Sequence, residues 1–208
     1  MHKGDAFSEL VDPDRPLCCR YLLVVLDELA VPVSPTGECR QEFVCWALGV
    51  LANGEHEVLG LWMRSESDPS AWGTVSGELE HRGVARIDVT LGMGGELRPL
   101  AFSGIGVLPA LSEPSQLGDL PAGVRRSIAA GWLTAQAMRT CAARAIRRAG
   151  GFLVATAAVS CVARALVLAG VSRADSMTPW ASDRRSRKSG LKRTNVGSQR
   201  AGIDALVG

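Results

Sequence analysis

The chain is poor in aromatic side chains, with four Phe, one Tyr and five Trp making up 5% of 208 residues. A core built from it must therefore rest mainly on Leu, Val and Ala, which the 47% hydrophobic content supplies in the range of a globular protein. None of the six cysteines, Cys18, Cys19, Cys39, Cys45, Cys141 and Cys161, forms a Cys-x-x-Cys pair, and no His stands near them at zinc-ligand spacing. That excludes a zinc-finger reading and leaves free thiols, with Cys45 and Cys161 expected as small buried hydrophobes. Gly92, Gly94 and Gly95 lack the Lys-Ser/Thr pair of a nucleotide-phosphate loop, and no Ser/His/Asp arrangement stands out. A membrane-spanning helix needs about 20 apolar residues. The strongest apolar helical run, 155–168, is shorter and carries Arg164, so it reads as a packed helix. Met1-His2-Lys3-Gly4-Asp5 is not followed by the apolar segment of a secretory signal, which points to a reducing cytoplasm.

Acidic residues are scarce in one part of the chain. Before Pro121 stand 18 of the 21 acids and 8 of the 23 bases; after it stand 3 and 15, so the two parts carry −10 and +12. Such a split implies either mutual attraction or a basic part that meets a polyanion, for which nucleic acid is the first choice.

Residues 1–17 read as a polar leader or linker. Residues 21–26 form a continuous apolar run that ends on Asp27, the pattern of a central strand buried on both faces. Val31-Pro32-Val33 is expected to finish that strand, because proline cannot donate to a sheet ladder. Runs at 42–51 and 57–63 flank Ala52-Asn53-Gly54-Glu55, a hairpin signal. Ser67-Asp68-Pro69 starts a helix over 68–81, with Trp72, Val75 and Leu79 on one face and Gly83 as its stop. A strand over 85–91 follows, broken by Gly92-Met93-Gly94-Gly95. Residues 97–110 give no firm pattern. From Pro121 the pattern is helical: Val124, Ile128, Leu133, Ala137, Cys141 and Ile146 mark one side, and Arg125, Arg126, Arg139, Arg144, Arg147 and Arg148 the other, up to Gly150-Gly151. A second helix is expected over 154–168, closing at Gly170. Residues 182–200 are basic and nearly free of apolar side chains, which predicts disorder in isolation.

The element order, an acid closing a buried strand, then a hairpin, a helix and a strand, is that of the start of an RNase H-like nuclease core. The residues carry the same message. Asp27-Glu28-Leu29-Ala30-Val31-Pro32-Val33, Ala47-Leu48-Gly49-Val50, Glu57-Val58-Leu59-Gly60-Leu61-Trp62, and Trp72 followed by Glu78-Leu79-Glu80-His81-Arg82-Gly83-Val84, resemble the catalytic region of Mutator-type insertion-sequence transposases. The expected fold is α/β: an incomplete RNase H-like core with a mixed sheet and an antiparallel hairpin at 18–112, basic helices at 121–171, and a basic tail at 172–208.

The resemblance implies metal-dependent DNA cleavage and strand transfer, with Mg²⁺ or Mn²⁺ held by three carboxylates. Two such ions about 4 Å apart activate the attacking oxygen and stabilise the leaving one, and Mg²⁺ takes hard oxygen ligands. Asp27 matches the first carboxylate and is the candidate catalytic and metal-binding residue. Glu28 points to the opposite sheet face. The family's second Asp falls at Leu91 or Met93, neither of which binds Mg²⁺; Asp88 comes too early, and Glu96 lies past the glycines. The third carboxylate, a helical Glu, has no counterpart, since no Glu follows Pro121. The resemblance therefore implies a truncated, transposase-like protein, inactive alone and nucleoid-associated. The other reading is a remnant that binds DNA or pairs with an intact transposase or with itself. Candidate phosphate contacts are Arg144, Arg147, Arg148, Arg184, Arg185, Arg187 and Lys188.

Overall fold

A computed structural model describes residues 14–35, 37–65, 71–93, 100–102, 106–108, 110–111, 113–118 and 120–174. Its elements belong to a compact unit ending at Arg173, with Ala174 alone reaching into the second unit. The helix start expected at Ser67-Asp68-Pro69, Glu96, and the tail residues Arg184, Arg185, Arg187 and Lys188 lie outside the described residues.

The fold is α/β. Strands β1 (Arg20–Val33), β2 (Arg40–Val50) and β3 (His56–Ser65) form an antiparallel meander. Helix α1 (Ala71–His81) then carries the chain over to β4 (Arg86–Met93), which pairs with β1 in parallel. Short strands β5 (Leu100–Phe102) and β6 (Gly106–Leu108) pair with each other, and β7 (Ala110–Leu111) adds to β4. The main sheet is thus mixed and five-stranded, in the order β3-β2-β1-β4-β7. A 3₁₀ turn at Pro114–Leu117 precedes the two long helices α2 (Ala122–Ala149) and α3 (Ala155–Ala174). No helix among the described residues is long and apolar enough to cross a membrane.

Strand alternation sorts the core into two layers. Leu23, Val25, Leu29, Val31 and Val33 of β1 and Val44, Trp46, Leu48 and Val50 of β2 face one side, where they meet Ile128, Met138 and Ile146 of α2 and Val162 and Leu166 of α3. Val24 and Leu26 face the other, with Val75 and Leu79 of α1. Both faces of β1 are covered, which is why residues 21–26 are apolar without a break. The apolar run ends on Asp27, but β1 itself continues six residues further and finishes at Val33, as Val31-Pro32-Val33 predicts, with β2 paired along it to Val33–Arg40. What ends near Asp27 is the pairing with β4, whose last register partner is Met93. Pro32 lies beyond that point. Its carbonyl accepts from Phe152 N–H on the side away from β2, so the missing proline donor falls outside the β1–β2 ladder.

The hairpin forms where expected. Gly54 takes φ +87°, and its N–H donates to the Leu51 carbonyl, while the Asn53 side chain accepts from Glu55 N–H. Helix α1 closes at Gly83 (φ +101°): Gly83 N–H donates to Glu80 O, and Val84 N–H to Leu79 O. That is a Schellman motif, with Leu79 and Val84 in the same core layer. Gly150 ends α2 in the left-handed region.

Three helix and strand expectations are corrected. Gly92 does not break β4, which runs through it to Met93, because the strand stays paired with β1 there. Gly170 does not close α3, which continues to Ala174; a helix-interior glycine costs only about 1 kcal/mol. Leu133 is 53% exposed, since the buried stripe of α2 runs through Ile128, Gly131, Ala135, Met138, Ala142 and Ile146. Cys45 is buried as expected, whereas Cys161 is only partly so.

At Gly131 α2 lies close against the sheet. A Cβ there would stand 2.5 Å from Val50 Cγ2 and 3.3 Å from Leu23 Cδ2. Gly131→Ala would gain about 1 kcal/mol in helix propensity but is expected to lose a net ~1–2 kcal/mol through overpacking. A urea midpoint equal to or above that of the parent would contradict this.

Candidate active site and its counter-ion

Asp27 sits in the middle of a row across three strands. Its register neighbours are Trp46 on β2 and Met93 on β4. The odd-numbered side of β1 faces α2, so the Asp27 carboxylate is aimed at that helix and is only 1% exposed. Its Oδ2 accepts from the Trp46 indole Nε1–H at 3.1 Å, and its Oδ1 from Arg139 Nη1 of α2. The same nitrogen donates to the Met93 carbonyl at 2.9 Å. Burial pushes the Asp27 pKa up to about 7, against the pull of Arg139, the Glu28 backbone and the Trp46 indole. A single guanidinium, itself 36% exposed along its side chain, does not offset the desolvation of the carboxylate.

The other sequence candidates are not gathered at Asp27. Glu28 points away, to an ion pair with Arg64 at 2.8 Å, and Arg64 also stacks over Phe43, 4.6 Å from the ring centroid. Asp88 lies near the far end of the β1–β4 pairing, bound to Arg20 and Arg86 at 2.8 Å each. It is two residues from Arg86, the register partner of Arg20, and five from Met93, the register partner of Asp27. Leu91 and Met93, where the resemblance puts a second carboxylate, are buried apolar residues, with Met93 directly beside Asp27. A two-ion Mg²⁺ centre needs several hard oxygen ligands. Here one carboxylate is flanked by an indole, a thioether and an arginine, and among the described residues no group of three or more His, Cys, Asp or Glu could hold a metal. The residues present do not fit such a centre.

Of the six α2 arginines assigned to its solvent side, Arg125, Arg126, Arg144, Arg147 and Arg148 are exposed. Arg139 is the exception, and it is the site residue that the sequence reading missed. A signal for it existed: at about 100° per residue, Arg139 lies nearest of the six to the centre of the buried stripe. Helix α2 contains no acidic residue, so its exposed arginines have no acidic partner within their own helix.

A family model described as "Transposase, Mutator family" matches residues 7–94. Two curated relatives are each 39% identical over 74 residues, which is 36% of this chain and 18% of each relative. They are the transposase for insertion sequence element ISRM3 of Rhizobium meliloti (strain 1021) and a probable transposase for an ISRM3-like element of Sinorhizobium fredii (strain NBRC 101917 / NGR234). The chain therefore matches less than a fifth of the length of these relatives. The family match ends just after β4, so Asp27, Trp46 and Met93 lie within it and Arg139 lies outside.

Proposed function

We propose that this chain, which belongs through residues 7–94 to the Mutator family of transposases, serves DNA transposition by holding DNA and does not cut it by itself. The reading rests on one observation: the carboxylate at the family's first metal-ligand position faces Arg139 and neighbours Met93, and among the described residues no group of three or more His, Cys, Asp or Glu could hold a metal. The strand order, with β1 central, a β2–β3 hairpin on one side and parallel β4 on the other, supports an RNase H-like core. The ancestral activity of such a core is strand cleavage with Mg²⁺ or Mn²⁺ on Asp27 and its lost companions.

DNA contact falls to the exposed arginines of α2, with Arg144, Arg147 and Arg148 within about one turn. Such contacts are to phosphates and carry little sequence information. Anisotropy titrations with a fluorescent duplex test this. Affinity should fall steeply with salt and need no divalent metal. Arg144→Ala/Arg147→Ala/Arg148→Ala should lower the slope of log K against log salt by about 2–3. Metal-dependent cleavage of terminal inverted-repeat DNA that disappears in Asp27→Asn would overturn the non-cutting part. Absence of salt-sensitive binding would overturn the rest.

A further inference from the structure

We propose that Asp27 Oδ1 and the Met93 carbonyl oxygen together form a cation seat, and that the Arg139 guanidinium is its resident ion, standing where a divalent metal would otherwise bind. Both oxygens accept from the same nitrogen, Arg139 Nη1. One is a carboxylate and the other a carbonyl, the hard donors that Mg²⁺ and Mn²⁺ use. They are neighbours across the β1–β4 ladder because Asp27 and Met93 are register partners. Arg139 reaches them from a helix 112 residues away in sequence, beyond the segment that matches the transposase family. The seat and its occupant thus come from different parts of the chain. The occupant is a planar, delocalised guanidinium that presents its donors in a fixed fork.

The site carries its own reporter. The Trp46 indole N–H donates to the other oxygen of Asp27, so a paramagnetic ion at the seat would lie within a few ångströms of it. The Trp62 indole N–H, bound to Glu78 at 2.5 Å, is a carboxylate-bound control on the opposite face of the sheet. Nitrogen-15 correlation spectra of the full chain, recorded without DNA at pH 8 during a Mn²⁺ titration, test the proposal. In the parent protein the Trp46 indole peak should broaden no earlier than that of Trp62. In Arg139→Ala it should be lost at a Mn²⁺ concentration at least tenfold lower than in the parent. Arg139→Gln makes the same comparison if the alanine variant does not give a folded spectrum. Selective loss of the Trp46 peak in the parent would show that metal binds despite the arginine and would overturn the proposal. Unchanged Mn²⁺ sensitivity in the folded Arg139 variant would do so as well. DNA is absent from the titration, so a failure of the DNA-holding reading and a failure of the seat are separate results.

Discussion

Arg82→Ala is expected to destabilise the fold by about 3–5 kcal/mol, the range for removing one member of a buried charged network. Arg82 is 6% exposed and binds three groups at once. Its Nε donates to the Arg15 carbonyl at 2.9 Å, and its Nη1 to the Leu59 carbonyl at 2.6 Å and to Glu78 at 3.4 Å. Leu59 is the extra residue of a β-bulge, since Leu48 pairs with Val58 while Ala47 pairs with Gly60. A bulge leaves the ladder locally unpaired, and here the guanidinium supplies the missing donor. Burial pulls the Arg82 pKa below its usual value, and Glu78 counters that pull. Alanine would strand the Leu59 carbonyl and leave Glu78 with only the Trp62 indole. For a unit of this size the loss corresponds to a melting temperature lower by on the order of 10 °C. A melt within 2 °C of the parent would show that water replaces the arginine at little cost. Arg82→Lys should fall between the two, because an ammonium cannot span three acceptors in a fork.

The second large effect is in the pH dependence of stability. The Asp27 carboxyl titrates near 3.8 when unfolded and is raised to about 7 in the fold. With a raised native pKa, the native state binds the extra proton between these values. The group's stabilising contribution is therefore complete below about pH 4 and is lost as the pH climbs through 7. The slope from this one group approaches about 1.4 kcal/mol per pH unit across that window. Asp27→Asn keeps the shape and an acceptor for Arg139 but removes the titration. Urea denaturation from pH 4 to 8 should show parent stability declining relative to the variant, with the variant at least as stable above pH 7. A parent that gains stability over the variant between pH 5 and 8 would mean that the ion pair outweighs the desolvation of Asp27.

How much of this was legible in the sequence depends on the range of the interaction. The β2–β3 hairpin, the Gly83 end of α1 and the Gly150 end of α2 are written in neighbouring residues, and local chemistry placed them well. The end of β1 at Val33 was signalled by Val31-Pro32-Val33, although its last six residues are held by β2 and not by β4. Burial on both faces of β1 could be inferred from the unbroken run 21–26, but that α2 and α3 cover one face and α1 the other could not. Arg139 shows the same limit within one helix. Periodicity sets it nearest of the six arginines to the buried stripe, but its acceptor lies on a strand 112 residues earlier, which no local pattern names. The opposite charges of the two parts of the chain left mutual attraction and a polyanionic partner both open, and the Arg139–Asp27 contact is an instance of the first.

The single residue Phe152, in the link between α2 and α3, has a consequence for the order of assembly. It pairs in parallel with Val33, taking a bond from Ser34 N–H and giving one to the Pro32 carbonyl. The terminal half of β1 has no β4 beside it, so this rung is what covers its open flank, a flank that would otherwise template the addition of a foreign strand. Because its partners are more than a hundred residues apart, it closes only after α2 has docked. The Ser34 and Phe152 amides should then exchange with deuterium sooner than those of the β1–β2 ladder. Any change that loosens α2 would first be felt as chains sticking to one another at that flank.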